Sequence, residues 1–183
     1  MLINKHIYQR VGIFIDIPNL YHSAKNFYNA RINFANLIEQ VLDSRQLIKA
    51  TGYTAKTEEQ GERSFFEMLE RLGVDVKIKD LQIYPDGTKK ADWDVGIAVD
   101  AIKMAPTLDV IILFSGDGDF IPLIQYLQAL GKRVEVVGFS ETTSSKLKEM
   151  ADKFIDISEN PSAFLIPINK SQPNSKGKSK NKK

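Results

Sequence analysis

At 183 residues, with 43% hydrophobic and 26% charged residues, the chain is long enough for one domain with a sizeable core, and no apolar run nears the roughly 20 residues that span a bilayer. The absence of cysteine excludes disulfides, a thiolate nucleophile and cysteine-ligated zinc. MLINKHIYQR lacks a secretory signal pattern, so the expected setting is cytoplasmic, with no membrane partner. The net charge of +2 is unevenly spread: residues 169–183, NKSQPNSKGKSKNKK, hold six of the 25 basic side chains and no acid, leaving 19 basic against 23 acidic side chains in the rest.

Residues 11–16, VGIFID, form a continuous apolar run closing on an acid, the pattern of a strand buried on both faces. Helices are expected over 20–28 and 34–42, with Asn19 placed either to cap the first or to orient Asp16 or a water with its amide, and QLIKATGYTA (46–55) reads as a second strand. Over 58–72, Phe65, Leu69 and Leu72 fall at i, i+4 and i+7, an amphipathic helix that Gly73 ends. VDVKIKDLQIY (74–84) alternates as a strand and runs into a Pro-Asp-Gly-Thr turn. WDVGIAVDAIKMA is apolar nearly all round, the mark of a helix buried against a sheet. LDVIILFS (108–115) is the most apolar strand, followed by GDGD, a helix over 120–130 and Gly131. KRVEVVGF (132–139) and KFIDIS (153–158) are further strands, with a short helix over 144–151 between them.

Strands alternating with helices at this spacing predict an α/β fold with a mostly parallel sheet and helices on both faces. The expected organisation is one domain over 1–168 and a disordered lysine-rich tail over 169–183, whose polar composition cannot bury enough apolar surface to fold. The tail is either a solvated end or a salt-sensitive contact for nucleic-acid phosphates.

Ligand sites in such sheets lie beyond the carboxyl ends of the strands, where the chain order reverses. Asp16 ends the first strand, Asp117 and Asp119 follow the strand at 108–115, and Asp92 and Asp94 open the apolar helix before it. Capping accounts for any one of these acids alone. It does not account for two acids where one suffices, together with a third ending the first strand. Were the two strands neighbours, the carboxylates would converge and repel, and a hard divalent cation such as Mg²⁺ or Mn²⁺ would remove the conflict. Such ions commonly act on phosphate esters. Ser115 has no base to make it a nucleophile, since the only histidines are His6 and His22, early in the chain. Lys89 and Lys90 precede the Asp92/Asp94 pair; a solvated turn is the default reading for them, and beside a carboxylate rim they could instead hold a polyanion that the acids alone would repel.

Two other motif readings fit less well. As a calcium loop begun by Asp117, the fifth and twelfth positions would be Ile121 and Gln128, leaving too few oxygen ligands. A haloacid-dehalogenase-like phosphatase would use Asp16 as nucleophile but needs an acid two residues later, where Pro18 stands.

Together, VGIFIDIPNLY, ADWDVGIAVDAI, FSGDGDFIPLIQYLQALGKRVEVVGF and SSKLKEMADKFIDI resemble the NYN domain family, the LabA-like (DUF88) group of PIN-like nucleases. That resemblance implies a PIN-like Rossmannoid three-layer α/β/α sandwich and Mg²⁺- or Mn²⁺-dependent hydrolysis of RNA. Asp16, Asp94, Asp117 and Asp119 match the family's acids, Asn19 its usual asparagine, and Ser115 the serine before the Gly-Asp pair. Where the family commonly has glycine after the first aspartate, this chain has Ile17-Pro18. A non-catalytic RNA-binding module is therefore the alternative expectation. The oligomeric state stays open, a homodimer among the options.

Overall fold

The computed structural model describes residues 7–56, 61–80, 82–83, 89–90 and 92–168. The expected tail at 169–183, the Pro-Asp-Gly turn and His6 lie outside these residues. The elements run β1 (Arg10–Asp16), α1 (Ile17–Tyr28), β2 (Ala30–Ile32), α2 (Phe34–Leu42), β3 (Gln46–Ala55), α3 (Glu62–Arg71), β4 (Val74–Lys79), β5 (Gln82–Ile83), β6 (Lys89–Lys90), α4 (Asp94–Met104), β7 (Val110–Phe114), α5 (Ile121–Ala129), β8 (Arg133–Gly138), α6 (Ser145–Met150), β9 (Lys153–Asp156), α7 (Pro161–Phe164) and β10 (Leu165–Pro167).

Six strands form one sheet in the order β4-β3-β1-β7-β8-β9, and every pairing within it is parallel. Odd and even residues of β1 and β7 face opposite sides. Val11, Ile13, Ile15, Val110, Ile112 and Phe114 pack with Leu20, Leu37, Ile38 and Leu69 from α1, α2 and α3. Phe14, Ile111 and Leu113 pack with Ile97, Leu123, Ile124 and Leu147 from α4, α5 and α6. This is the expected three-layer α/β/α arrangement. It explains the unbroken apolar runs, because both faces of the central strands are covered, and each fully buried Ile or Phe there contributes about 2 kcal/mol. No helix among the described residues is long and apolar enough to cross a membrane.

Gly73 and Gly131 do follow α3 and α5, with φ of +80° and +73° that a side chain would strain. Other details differ from expectation. Helix α1 begins at Ile17, three residues early, and its cap is Asp16, whose Oδ1 accepts from the Asn19 N–H at 3.3 Å. Pro18 is harmless there, since the first turn has no intrahelical use for its missing N–H. The strand expected over 74–84 stops at Lys79, and Gln82–Ile83 pairs antiparallel with Lys89–Lys90. Helix α4 is less buried than its composition implies: Val95, Val99 and Ile102 are exposed, because only its other side meets the sheet. The pair β2/β10 was not foreseen, since three-residue strands show no periodicity and these partners lie far apart in the chain.

Candidate metal centre

The sheet order reverses between β1 and β7, which sets the carboxyl end of β1 beside the loop after β7. Ile15 pairs with Phe114, so Asp16 and Ser115 emerge side by side. The Ser115 hydroxyl donates to Asp16 Oδ2 at 3.1 Å, and Ser115 Oγ accepts from the Asp117 N–H at 3.2 Å. Ser115 thereby ties the acid of β1 to the first acid of the following loop. Asn19, inside α1, turns its amide oxygen to the Gly116 N–H at 3.0 Å. Its amide oxygen holds the loop rather than capping α1, which corrects the capping half of the expectation; Asp16 is already in the capping position.

Asp117 caps the 3₁₀ turn Gly118–Phe120, its Oδ1 accepting from the Asp119 N–H at 2.9 Å. The loop from Ser140 to Ser144 closes the far side: the Ser144 N–H donates to the Gly116 carbonyl at 2.9 Å, and a Cβ on Gly116 would lie 2.9 Å from Thr143 Oγ1. Nothing in the sequence marked this loop, because it follows a different strand and its one acid, Glu141, accepts from the Tyr28 hydroxyl.

On the other side, α4 starts with Asp94, whose N–H donates to Asp92 Oδ1 at 2.9 Å. Asp94, Asp117 and Asp119 each offer an oxygen, and these atoms lie within 4.8 Å of one another. Asp94 and Asp117 are half-buried and Asp119 is exposed. Asp16 lies outside this trio, with both oxygens engaged in hydrogen bonds, yet its charge is felt by Asp94. Burial, then the adjoining Asp92 carboxylate and the charges of Asp117 and Asp16, push the Asp94 carboxyl up to about 7. Burial also raises Asp16, against the hydrogen bonds from Asn19 and Ser115 that favour its charged form. Lys89 and Lys90 form β6, two residues ahead of Asp92. Asp100 stands apart from the acids, accepting from Tyr53 Oη at 2.8 Å and Lys77 Nζ at 2.6 Å.

The sequence profile of the NYN domain matches residues 10–159. The chain belongs to the NYN domain family. It is 31% identical over 162 residues to a Synechococcus elongatus protein named Low amplitude and bright protein LabA, covering 82% of this chain and 84% of that one. An uncharacterised protein of Methanocaldococcus jannaschii is 39% identical over 70 residues, 37% of this chain and 29% of its own. A solved structure from Vibrio parahaemolyticus, described as a protein of unknown function, matches with a TM-score of 0.80 at 32% identity, covering 89% of this chain and 99% of that one. In this NYN domain the clustered donors are all carboxylate oxygens, which suit a hard divalent cation, and the Asp94 carboxyl, raised by burial first and then by its acidic neighbours, faces like charge that such a cation would offset. The residues present fit a divalent metal.

Proposed function

We propose that this NYN domain is a Mg²⁺- or Mn²⁺-dependent endoribonuclease of the cytoplasm, hydrolysing RNA phosphodiester bonds at the aspartate rim. The observation that carries the reading is the approach of Asp94, from the start of α4, to within 4.8 Å of the oxygens of Asp117 and Asp119 from the loop after β7. The proposal assigns the metal to Asp94, Asp117 and Asp119, with Asp16 as a fourth acid directly or through water, and treats residues 1–168 as one working unit.

When bound, a divalent cation would lower the pKa of an attacking water and offset charge developing on the phosphate. Ser115 keeps Asp16 and the Asp117 backbone in register through its single hydroxyl. Asn19 prevents the Gly116–Asp119 loop from lifting away from α1. Asp92 steadies Asp94 through the backbone N–H. Because the Asp94 carboxyl is raised to about 7, the metal-free protein holds a proton there for part of the time at neutral pH, and metal binding releases it. Lys89, Lys90 and the lysines of 169–183 supply the positive charge that attracts an RNA backbone toward an acidic rim.

The test is cleavage of a labelled single-stranded RNA by the purified chain in Mn²⁺ or Mg²⁺. Cleavage that stops in EDTA and in Asp117→Asn is the expected result; no cleavage by the wild type in either metal overturns the enzymatic reading. One observation favours a second reading, a non-catalytic RNA-binding module: both oxygens of Asp16 are committed to hydrogen bonds, one of them capping a helix that opens with Ile17-Pro18. On that reading RNA binding persists in EDTA and weakens steeply with salt until residues 169–183 are deleted. A phosphatase using Asp16 draws no support from this geometry, since Pro18 occupies the first turn of α1 where the acid would be needed.

A further inference from the structure

Asp94 is held among like charges, so something must keep α4 from retreating. The helix does not do this alone, for Trp93 at its cap position makes no side-chain capping bond. Instead the start of α4 is fastened to the carboxyl ends of β3 and β4. The Trp93 indole N–H donates to the Thr54 carbonyl at 2.7 Å. Its ring stands edge-on to Tyr53, the centroids 5.3 Å apart. Gly96 leaves the room this ring needs, since a Cβ there would lie 2.6 Å from an indole carbon. Lys79, the last residue of β4, places Nζ 4.2 Å from the Trp93 ring centroid and donates to the Asp92 carbonyl at 2.8 Å. Three consecutive residues, Asp92 to Asp94, are thus bound at the first, braced at the second, and presented to the loop after β7 at the third.

We propose that Trp93 and Lys79 are positioning residues for the metal site: they hold the Asp92–Asp94 segment on β3 and β4 so that the Asp94 carboxylate meets those of Asp117 and Asp119. The inference rests on the metal-site reading above. Its logic is that a ligand held by groups outside the site binds its ion more tightly than a ligand free to move away from its neighbours.

The sign of one substitution separates this role from a purely electrostatic one. Lys79→Met removes a positive charge near a cation site. Acting through charge alone, the change would tighten metal binding; acting through lost positioning, it weakens it. Lys79→Arg keeps both the charge and a donor. Trp93→Phe keeps an aromatic ring and alters no charge, but loses the bond to Thr54.

Isothermal titration calorimetry of the full chain with Mn²⁺, and separately with Mg²⁺, reads the affinity directly and requires no catalysis. Lys79→Met and Trp93→Phe should each bind about tenfold more weakly, while Lys79→Arg stays near the wild type. Urea unfolding in EDTA accompanies each titration, and a variant that loses affinity at an unchanged urea midpoint shows the effect to be positional. Wild-type affinity in Trp93→Phe, or tighter binding in Lys79→Met, overturns the inference alone. A wild type that binds neither ion overturns the metal-site reading and the inference with it.

Discussion

Replacing Asp94 by asparagine should make the metal-free protein more stable. Its carboxylate oxygen lies within 4.8 Å of those of Asp117 and Asp119. Two unit charges at that separation repel by about 3 kcal/mol at an effective dielectric near 20. Solvent and salt at a half-open rim reduce this to about 1 kcal/mol for each pair, or about 2 kcal/mol for Asp117 and Asp119 together, with the adjoining Asp92 adding in the same direction. Against this, a negative charge in the first turn of α4 favours the helix by about 0.5 kcal/mol, which the substitution forfeits. Repulsion is the larger effect, so a net gain of about 1 kcal/mol is expected, or about 3 °C in Tm for a chain of this length.

The pH dependence has a definite sign. The Asp94 carboxyl, raised to about 7 in the folded protein, binds its proton more tightly folded than unfolded. The cost to stability is absent below the ordinary carboxylate value, grows as pH rises toward 7, and is fully present above it. Wild-type stability in EDTA should therefore fall between pH 5 and pH 8 more steeply than that of Asp94→Asn (~1 kcal/mol of difference). Thermal and urea unfolding in EDTA at those two pH values measure both effects, and Mn²⁺ should then raise the wild-type Tm more than that of the variant. A variant less stable than the wild type in EDTA at pH 8, or one with an equal pH slope, refutes the reasoning.

Four further outcomes follow from the surroundings of the site and the core. Asn19→Ala leaves the buried Gly116 N–H without its acceptor and should cost about 1 to 3 kcal/mol in urea unfolding, with weaker Mn²⁺ binding as the loop loosens. Gly116→Ala would set a methyl 3.0 Å from the Thr142 carbonyl oxygen and the Thr143 Cα, backbone atoms that cannot swing aside, for a loss of about 1 to 3 kcal/mol by the same measurement. Arg45 and Glu135 form a buried ion pair at 2.9 Å, so Arg45→Met should cost about 3 kcal/mol or more. Burial opposes the charge on Glu135, but the guanidinium groups of Arg45 and Arg133 hold its carboxyl below the usual value. The stability it lends is thus present above its unfolded value and lost as pH falls through the lower folded one, and Glu135→Gln should flatten that part of an acid-unfolding curve.

Much of this protein is legible from its order of residues. VGIFID and VIILF declare strands covered on both faces, because a half-exposed strand would alternate; Gly73 and Gly131 mark helix ends, because their positive φ would strain most side chains. Asp16, Asp117 and Asp119 could be picked out because they follow the ends of strands, and Asp92 and Asp94 because they open the helix before the central strand, since a parallel sheet brings the carboxyl ends of its strands to one rim. What each acid does there was not legible. Asp16 took the capping place expected of Asn19, because capping depends on where α1 begins, and that start is fixed by packing: Ile17 lies buried against Gly52, where a Cβ would come within 2.9 Å of the Ile17 side chain. The brace of Lys79 and Trp93 on Asp92 and Thr54, and the Ser140–Ser144 loop against Gly116, join strands far apart in sequence and leave no periodic trace. Sequence determined the elements and the chemistry of the rim, because burial period and residue type are local properties. Only the tertiary structure decided which acids meet and what holds them together, because repulsion and its restraint depend on distances that the fold alone sets.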